Sequence, residues 1–231
     1  MIKTLIKNIL KFSLKKHSIE RIINFFSYLY FDDEYKLNRN HIFPGLVFYT
    51  QNNLVKNNYL FNLSIKSIGY AYKNKIYGFN QKLKSSNFYN IYPGEHYRLL
   101  KAITKIKKPK TIVEIGTYHG MSTYAFFQDF KGKFFSFDIV SHKKFQSHIT
   151  KKIEKTFVQH IVDLSLANNW NKFQKIFNQA DIIFLDGPKD GIFEYKLLKL
   201  ISKLKKKKNK ILLIDDIKFL NMTNLWDSIV S

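Results

Sequence analysis

Between Thr111 and Thr123 the chain reads TIVEIGTYHGMST, and this stretch leaves few folds open to it. Thr111, Ile112 and Val113 are residues of a buried strand, and the run stops at Gly116 directly after an acid, Glu114, and one more isoleucine. A second glycine, Gly120, follows one helical turn later, and Met121 to Phe127 carry enough apolar surface to continue as a helix packed on the strand. The unit is strand, glycine turn, helix. Such a turn leaves backbone N–H groups free beside the positive end of a helix dipole and, where side chains are missing, admits a ligand. A dinucleotide site would space its glycines as G-x-G-x-x-G to seat a pyrophosphate. Here Thr117 and His119 stand where that pattern varies, and no second close glycine follows Gly116.

Downstream the chain alternates strand and helix, as a doubly wound α/β sheet requires. Phe134, Phe135, Ser136 and Phe137 form a run that ends in Asp138, an acid about 20 residues beyond the glycine turn, the position from which a carboxylate accepts both ribose hydroxyls of an adenosine group. The alternative for Asp138 is a cap on the next helix. A third strand is expected over Phe157–Val162, before Asp163. The fourth, Ile182–Leu185, leads into Asp186, and the fifth, Ile211–Ile214, into Asp215 and Asp216. Carboxyl ends of neighbouring strands converge on one crevice, so three carboxylates are expected beside the ligand of the glycine turn. Carboxylates so close repel unless a cation lies between them or some are protonated, and a hard divalent ion, Mg²⁺ before Mn²⁺ or Ca²⁺, is the simplest neutraliser.

The string E-x-G-x-x-x-G-x-S at Glu114–Ser122 resembles motif I of the class I S-adenosylmethionine (SAM) dependent methyltransferases. FLDGPKD after the fourth strand and LLIDD at the fifth are similar to F-[LV]-D-x-x-K-D and the Asp-Asn pair of the metal-dependent catechol and caffeoyl-coenzyme A type O-methyltransferases. The Pro-containing helix start in IYPGEHYRLLKAITKI, with Tyr97, Leu100, Ile103 and Ile106 on one face, looks like the helix preceding their cofactor site. The resemblance covers about Ile91 to Trp226. It implies a Rossmann-like fold that binds SAM through Glu114, Gly116, Thr117, Tyr118, Gly120, Ser122, Asp138, Asp163 and Asp186. It further implies a divalent ion held by Asp186, Asp215 and Asp216, with Lys189 as general base toward a hydroxyl of a small acceptor.

Two departures keep other readings open. Asp216 stands where those enzymes place Asn, and Gly187-Pro188 replaces a bulkier pair. DGPKDGIFEY also looks like a broader methyltransferase group, some members of which serve glycan or antibiotic tailoring, carrying D-G, six residues, then E. In that group metal-independent catalysis and a solvated Lys189 are the expectation. A third reading is an inactive scaffold acting as a basic binding module.

The rest of the chain is read more coarsely. The 231 residues, 45% of them hydrophobic, suffice for one good core, divided into an N-terminal extension over 1–90 and a SAM-binding domain over 91–231 that ends before the sixth and seventh strands of the family's sheet. The absence of cysteine excludes disulfides and thiolate metal sites. A net charge of +22 points formally to nucleic acid or anionic lipid, but the lysines are scattered among abundant Asn, Ile and Phe, a compositional bias rather than a footprint. The run Lys203–Lys210 is read as a solvated turn rather than a nucleic-acid surface. Met1 to about Phe31 forms a basic amphipathic pattern that packs on the domain or lies peripherally on an anionic membrane; it lacks the features of a signal peptide, and cytoplasmic residence is the default. Leu60–Tyr77 alternates in places, as a short hairpin does. His96, at a helix start, is read as a surface residue. Oligomeric state is left open.

Overall fold

Five strands run parallel in the order β3-β2-β1-β4-β5: β1 (Thr111–Ile115), β2 (Lys133–Asp138), β3 (Phe157–Ile161), β4 (Ile182–Leu185) and β5 (Ile211–Ile214). The computed structural model describes residues 58–77, 88–90, 94, 96–204, 210–217 and 222–230, all within the unit Val47–Ser231. The helices in these residues are α1 (Asn58–Lys73), α2 (His96–Lys107), α3 (Met121–Phe126), α4 (Lys151–Glu154), α5 (Ala167–Gln179), α6 (Ile192–Ser202) and α7 (Met222–Val230). The expected N-terminal amphipathic helix and the Pro-containing turn at 91–93 lie outside the described residues.

Every residue of β1 and β4 is buried, which is why both read as nearly unbroken apolar runs rather than as alternating ones. The period of two still sorts their side chains. Ile112 joins Phe134, Ile182 and Phe184 in one core with Leu100 and Ile103 of α2 and Phe126 of α3. Val113 and Ile115 join Phe137, Ile183 and Leu185 in a second core with Trp170 and Phe177 of α5 and Leu197 of α6. Both faces are therefore covered, the condition for an all-parallel sheet in water. The strand order reverses between β1 and β4, and a doubly wound sheet opens its ligand crevice at that point, beyond the strands' carboxyl ends.

The segment from Leu60 is a helix, not a hairpin. Leu63, Ser67 and Ala71 are buried at four-residue spacing, the period of a helix face, and α1 packs on α2. The local alternation was misleading because Tyr59, Leu60, Phe61, Ile65 and Tyr72 are large residues on the exposed side of the same helix. Beyond α1, Ile76 N donates to Asn90 Oδ1 and Asn90 Nδ2 returns a bond to the Ile76 carbonyl, both 2.9 Å. Strand β3 ends at Ile161, one residue before the expected end. Of the lysine run, residues 205–209 lie outside the description; Lys210 is not a solvated residue, since its Nζ donates to the Phe177 carbonyl at 2.8 Å, at the negative end of α5. No described helix is long and apolar enough to cross a membrane.

Candidate functional site

The parallel ladder itself assembles the site. Gly116 N donates to Phe137 O at 2.8 Å, Asp186 N to Ile115 O at 2.8 Å and Asp215 N to Leu185 O at 3.0 Å, so the glycine turn and both acidic strand ends lie side by side at the reversal of strand order. Gly116 has φ +95°, and a Cβ there would fall 1.9 Å from the Asp186 carbonyl oxygen. Only glycine fits. Gly120, at φ +74°, opens α3 in the left-handed conformation, against Ile149.

Asp138 closes the turn. Its Oδ2 accepts from Thr117 N (2.8 Å) and Tyr118 N (2.9 Å), and its Oδ1 from Val140 N (3.0 Å). Three of its roughly four lone-pair positions are thus used within the protein. Tyr118, at φ 43°, exposes its ring beside His119 and Phe145. Glu114 and Ser122 are placed differently from an exposed cofactor contact. Glu114 is fully buried, and its carboxylate accepts from Ser122 Oγ (2.7 Å), Thr123 Oγ1 (2.6 Å) and Ser136 Oγ (2.6 Å); Thr117 Oγ1 in turn bonds Ser136 Oγ at 2.7 Å. Burial pushes this carboxyl up to about 7 although all three hydroxyl bonds favour its charged form. Asp163 forms a turn into α5, accepting from Ser165 N and, through its carbonyl, from Asn169 Nδ2.

The three carboxylates meet as expected, each offering an oxygen within 4.8 Å of the others. Lys189, at φ 65°, enters the same space: its Nζ lies 2.6 Å from Asp186, 3.1 Å from Asp216 and 3.6 Å from Asp215. It is not a solvated loop lysine. Burial works to lower its pKa, but the three carboxylates outweigh that and hold the ammonium above the ordinary lysine range. This direction is opposite to the lowered pKa expected of a general base, because the neighbours of the ammonium here are anions. Burial, then Asp215, raises Asp186 to about 6. Three carboxylates and one ammonium leave two negative charges, so both the oxygen donors and the residual charge suit a hard divalent ion.

Three groups escaped the sequence reading. Glu194, fully buried, accepts from Lys189 N and Gly191 N, each at 2.9 Å, and so fixes the loop that carries Lys189; its signal was an acid three residues after Gly191, the spacing of a capping box. Tyr97 of α2 lies where Asp186, Asp215 and Asp216 all act on its hydroxyl, which burial and those charges hold protonated. Its ring packs edge-on to buried Tyr89 at 5.3 Å, and the Tyr89 hydroxyl bonds His148 Nδ1 at 2.6 Å. Nothing in the local sequence joins positions 59 residues apart.

A parallel sheet reversing at β1/β4, with a glycine turn and an acidic strand end on either side of the reversal, is a Rossmann-like sheet with its ligand crevice at that point. Residues 113–217 match a family model described as a methyltransferase domain. A probable caffeoyl-CoA O-methyltransferase of Dictyostelium discoideum is 30% identical over 147 residues, 60% of this chain and 56% of the relative. The chain thus matches little more than half the length of that curated relative. Among solved structures, similarity extends to an S-adenosylhomocysteine (SAH) bound methyltransferase of Podospora anserina, at 17% identity and TM-score 0.44 over 75% of this chain and 74% of that one. It extends also to an O-methyltransferase of Bacillus cereus in complex with SAH, at 17% identity and TM-score 0.46 over 63% and 73%.

Proposed function

We propose that this chain is a SAM-dependent O-methyltransferase that methylates a hydroxyl of a small acceptor with divalent-metal assistance. The observation that carries the reading is the acid–lysine cluster of Asp186, Lys189, Asp215 and Asp216 at the same sheet crevice as the Gly116 turn. Glu114 favours a cationic cofactor over a dinucleotide, because a pyrophosphate at this turn would meet a buried carboxylate beneath it.

SAM, when bound, supplies a methyl group already activated on a sulfonium. A divalent ion, held by Asp186, Asp215 and Asp216, would lower the pKa of an acceptor hydroxyl. The protein's part is alignment and proton transfer. Gly116 gives the turn its close approach, Asp138 holds that turn and offers its remaining lone pair to a ribose hydroxyl, and Glu194 fixes the Lys189 loop. The acceptor oxygen attacks the methyl carbon, the S–C electron pair stays on sulfur, and the hydroxyl proton passes to the protein. Were Asp186, Asp215 and Asp216 engaged by such an ion, Lys189 would lose the charges that hold its ammonium, release a proton to solvent and, as a neutral amine, be able to accept the hydroxyl proton.

A second reading, methyl transfer without metal, is favoured by one observation: Lys189 Nζ already supplies a positive charge among the three carboxylates. Calorimetric titration with SAH, followed by methyl transfer assays with Mg²⁺ or with a chelator, separates the two. Asp215→Ala is expected to leave SAH affinity within about threefold while abolishing Mg²⁺ stimulation. Unchanged stimulation in this variant rejects the metal assignment, and a folded protein that binds neither SAM nor SAH rejects the reading as a whole.

A further inference from the structure

Arg98 and Ser67 are buried polar side chains that neither the sheet crevice nor the apolar cores employ. Arg98, in the first turn of α2, is 9% exposed, and its Nε is enclosed without a hydrogen-bond partner. No carboxylate among the described residues pairs with it, although Lys105 finds Asp129 and Lys189 finds Asp186. Ser67, in the middle of α1, is fully buried, and its Oγ also lacks a partner. A serine inside a helix commonly returns its hydroxyl to the carbonyl four residues back, as Thr104 of α2 does to Leu100 O at 2.8 Å. Ser67 does not. An enclosed guanidinium without a counter-charge and an enclosed hydroxyl without a bond are each costly, and each is relieved by a ligand that brings oxygen acceptors.

The two residues fall in one seam. α1 and α2 run antiparallel: Lys107, the last residue of α2, donates to the Tyr59 hydroxyl near the start of α1 at 3.4 Å, and Lys101 reaches the Lys75 carbonyl beyond its end at 2.9 Å. Counting in step from the Tyr59–Lys107 contact brings Leu63 level with Ile103, and these two share a core. One turn further, Ser67 stands level with Leu99, the neighbour of Arg98. Ala71 and Ala102 are fully buried yet join neither core. The faces that carry them, with Ser67 one turn before Ala71 and Arg98 one turn before Ala102, therefore meet each other rather than the sheet. We propose that this seam is an oxyanion site, in which the Arg98 guanidinium and the Ser67 hydroxyl bind a carboxylate or phosphate group. The guanidinium presents its donors as a planar fork matched to two oxygens of such a group, and serine adds a donor from the other helix. The group is either a free anion or an acidic substituent of the acceptor, since Tyr97, the neighbour of Arg98, lies within the field of the three crevice carboxylates. Only the second source rests on the methyltransferase reading above.

Isothermal titration with inorganic phosphate at about 0.15 M NaCl, which screens the exposed lysines, tests the site itself. Wild type should bind phosphate, Arg98→Met should lose about tenfold in affinity, and Lys199→Met, which removes an exposed lysine, should stay within about twofold. A folded wild type that binds no phosphate, or a loss in Arg98→Met no greater than in Lys199→Met, overturns the proposal. If Arg98→Met does not fold, Ser67→Ala decides: a loss of about threefold or more in phosphate affinity supports the site, and unchanged affinity overturns it. Catechol and 3,4-dihydroxybenzoate as acceptors then separate the two sources. A lower KM for dihydroxybenzoate that disappears in Arg98→Met assigns the site to the acceptor's carboxylate, while equal KM values with phosphate bound assign it to a free anion. A protein that binds phosphate through Arg98 but neither SAM nor SAH keeps the oxyanion site and loses the methyltransferase reading.

Discussion

Gly116 shows how narrow the tolerance at the crevice is. Its φ of +95° and the Asp186 carbonyl 1.9 Å from where a Cβ would stand are independent objections to any side chain. Gly116→Ala is expected to lose at least about 1–2 kcal/mol from the backbone term alone. It should also move Asp186 away from the turn, so that SAH binding is lost even where urea denaturation still reports a folded protein. A variant that keeps wild-type SAH affinity would contradict this geometry. Asp138 and Lys189 differ from it in kind: their residue types were legible in the sequence, but their bonds were not. Asp138 uses both oxygens on backbone N–H groups before any ligand arrives, and Lys189 has an elevated pKa because three carboxylates surround it.

At the scale of elements, the contact between the segment before α2 and the loop after β2 is made by Tyr89 and His148. His148 N also donates to the His119 carbonyl at 2.8 Å, so this clasp reaches the glycine turn. Burial, aided by His119, pushes His148 down from 6.5 to about 4. An unfolded chain takes up a proton there below about pH 6.5 and the folded protein does not until about pH 4, so the stability tied to His148 is complete above pH 6.5 and is lost as pH falls toward 4. Glu114 has the opposite sign: its raised pKa makes its contribution complete below about 4.5 and lost as pH rises to about 7. Glu114 is common to wild type and His148→Asn, so it cancels between them. The stability advantage of wild type over His148→Asn should therefore shrink by on the order of 3 kcal/mol between pH 7 and pH 4 in denaturant titrations. An advantage that stays constant with pH would show that His148 is not buried as a neutral ring.

For the whole molecule, a crevice lined by Asp138, Asp186, Asp215 and Asp216, with Glu114 buried behind it, sits within a chain of net charge +22. The overall charge and the local field have opposite signs, and the local one governs the ligand. SAM at a hundredfold excess over its Kd should stabilise the fold by about 2.7 kcal/mol, a Tm rise of roughly 5–10 °C, while NADH at the same concentration gives none. A rise with NADH and not with SAM, measured by differential scanning fluorimetry, would point back to a dinucleotide. The sheet puts that local field at its ligand crevice, since its order reverses between β1 and β4 at Gly116 and Asp186.

The strand ends were readable because their signals are local: β4 and β5 occupy Ile182–Leu185 and Ile211–Ile214 as the apolar runs indicated, each halted by an acid, and α2 stops short of Pro109. Parallel topology then carries Asp138, Asp186, Asp215 and Asp216 to one edge by rule. Leu60–Tyr77 was misread because exposed aromatics mask a helical face that only its packing on α2 reveals. What tertiary structure alone decided is which partners each group meets: hydroxyls around Glu114, carboxylates around Lys189, a tyrosine on His148. A residue type fixes what chemistry is available, but pKa and hydrogen bonding depend on neighbours brought together from distant parts of the chain, and those are set by packing.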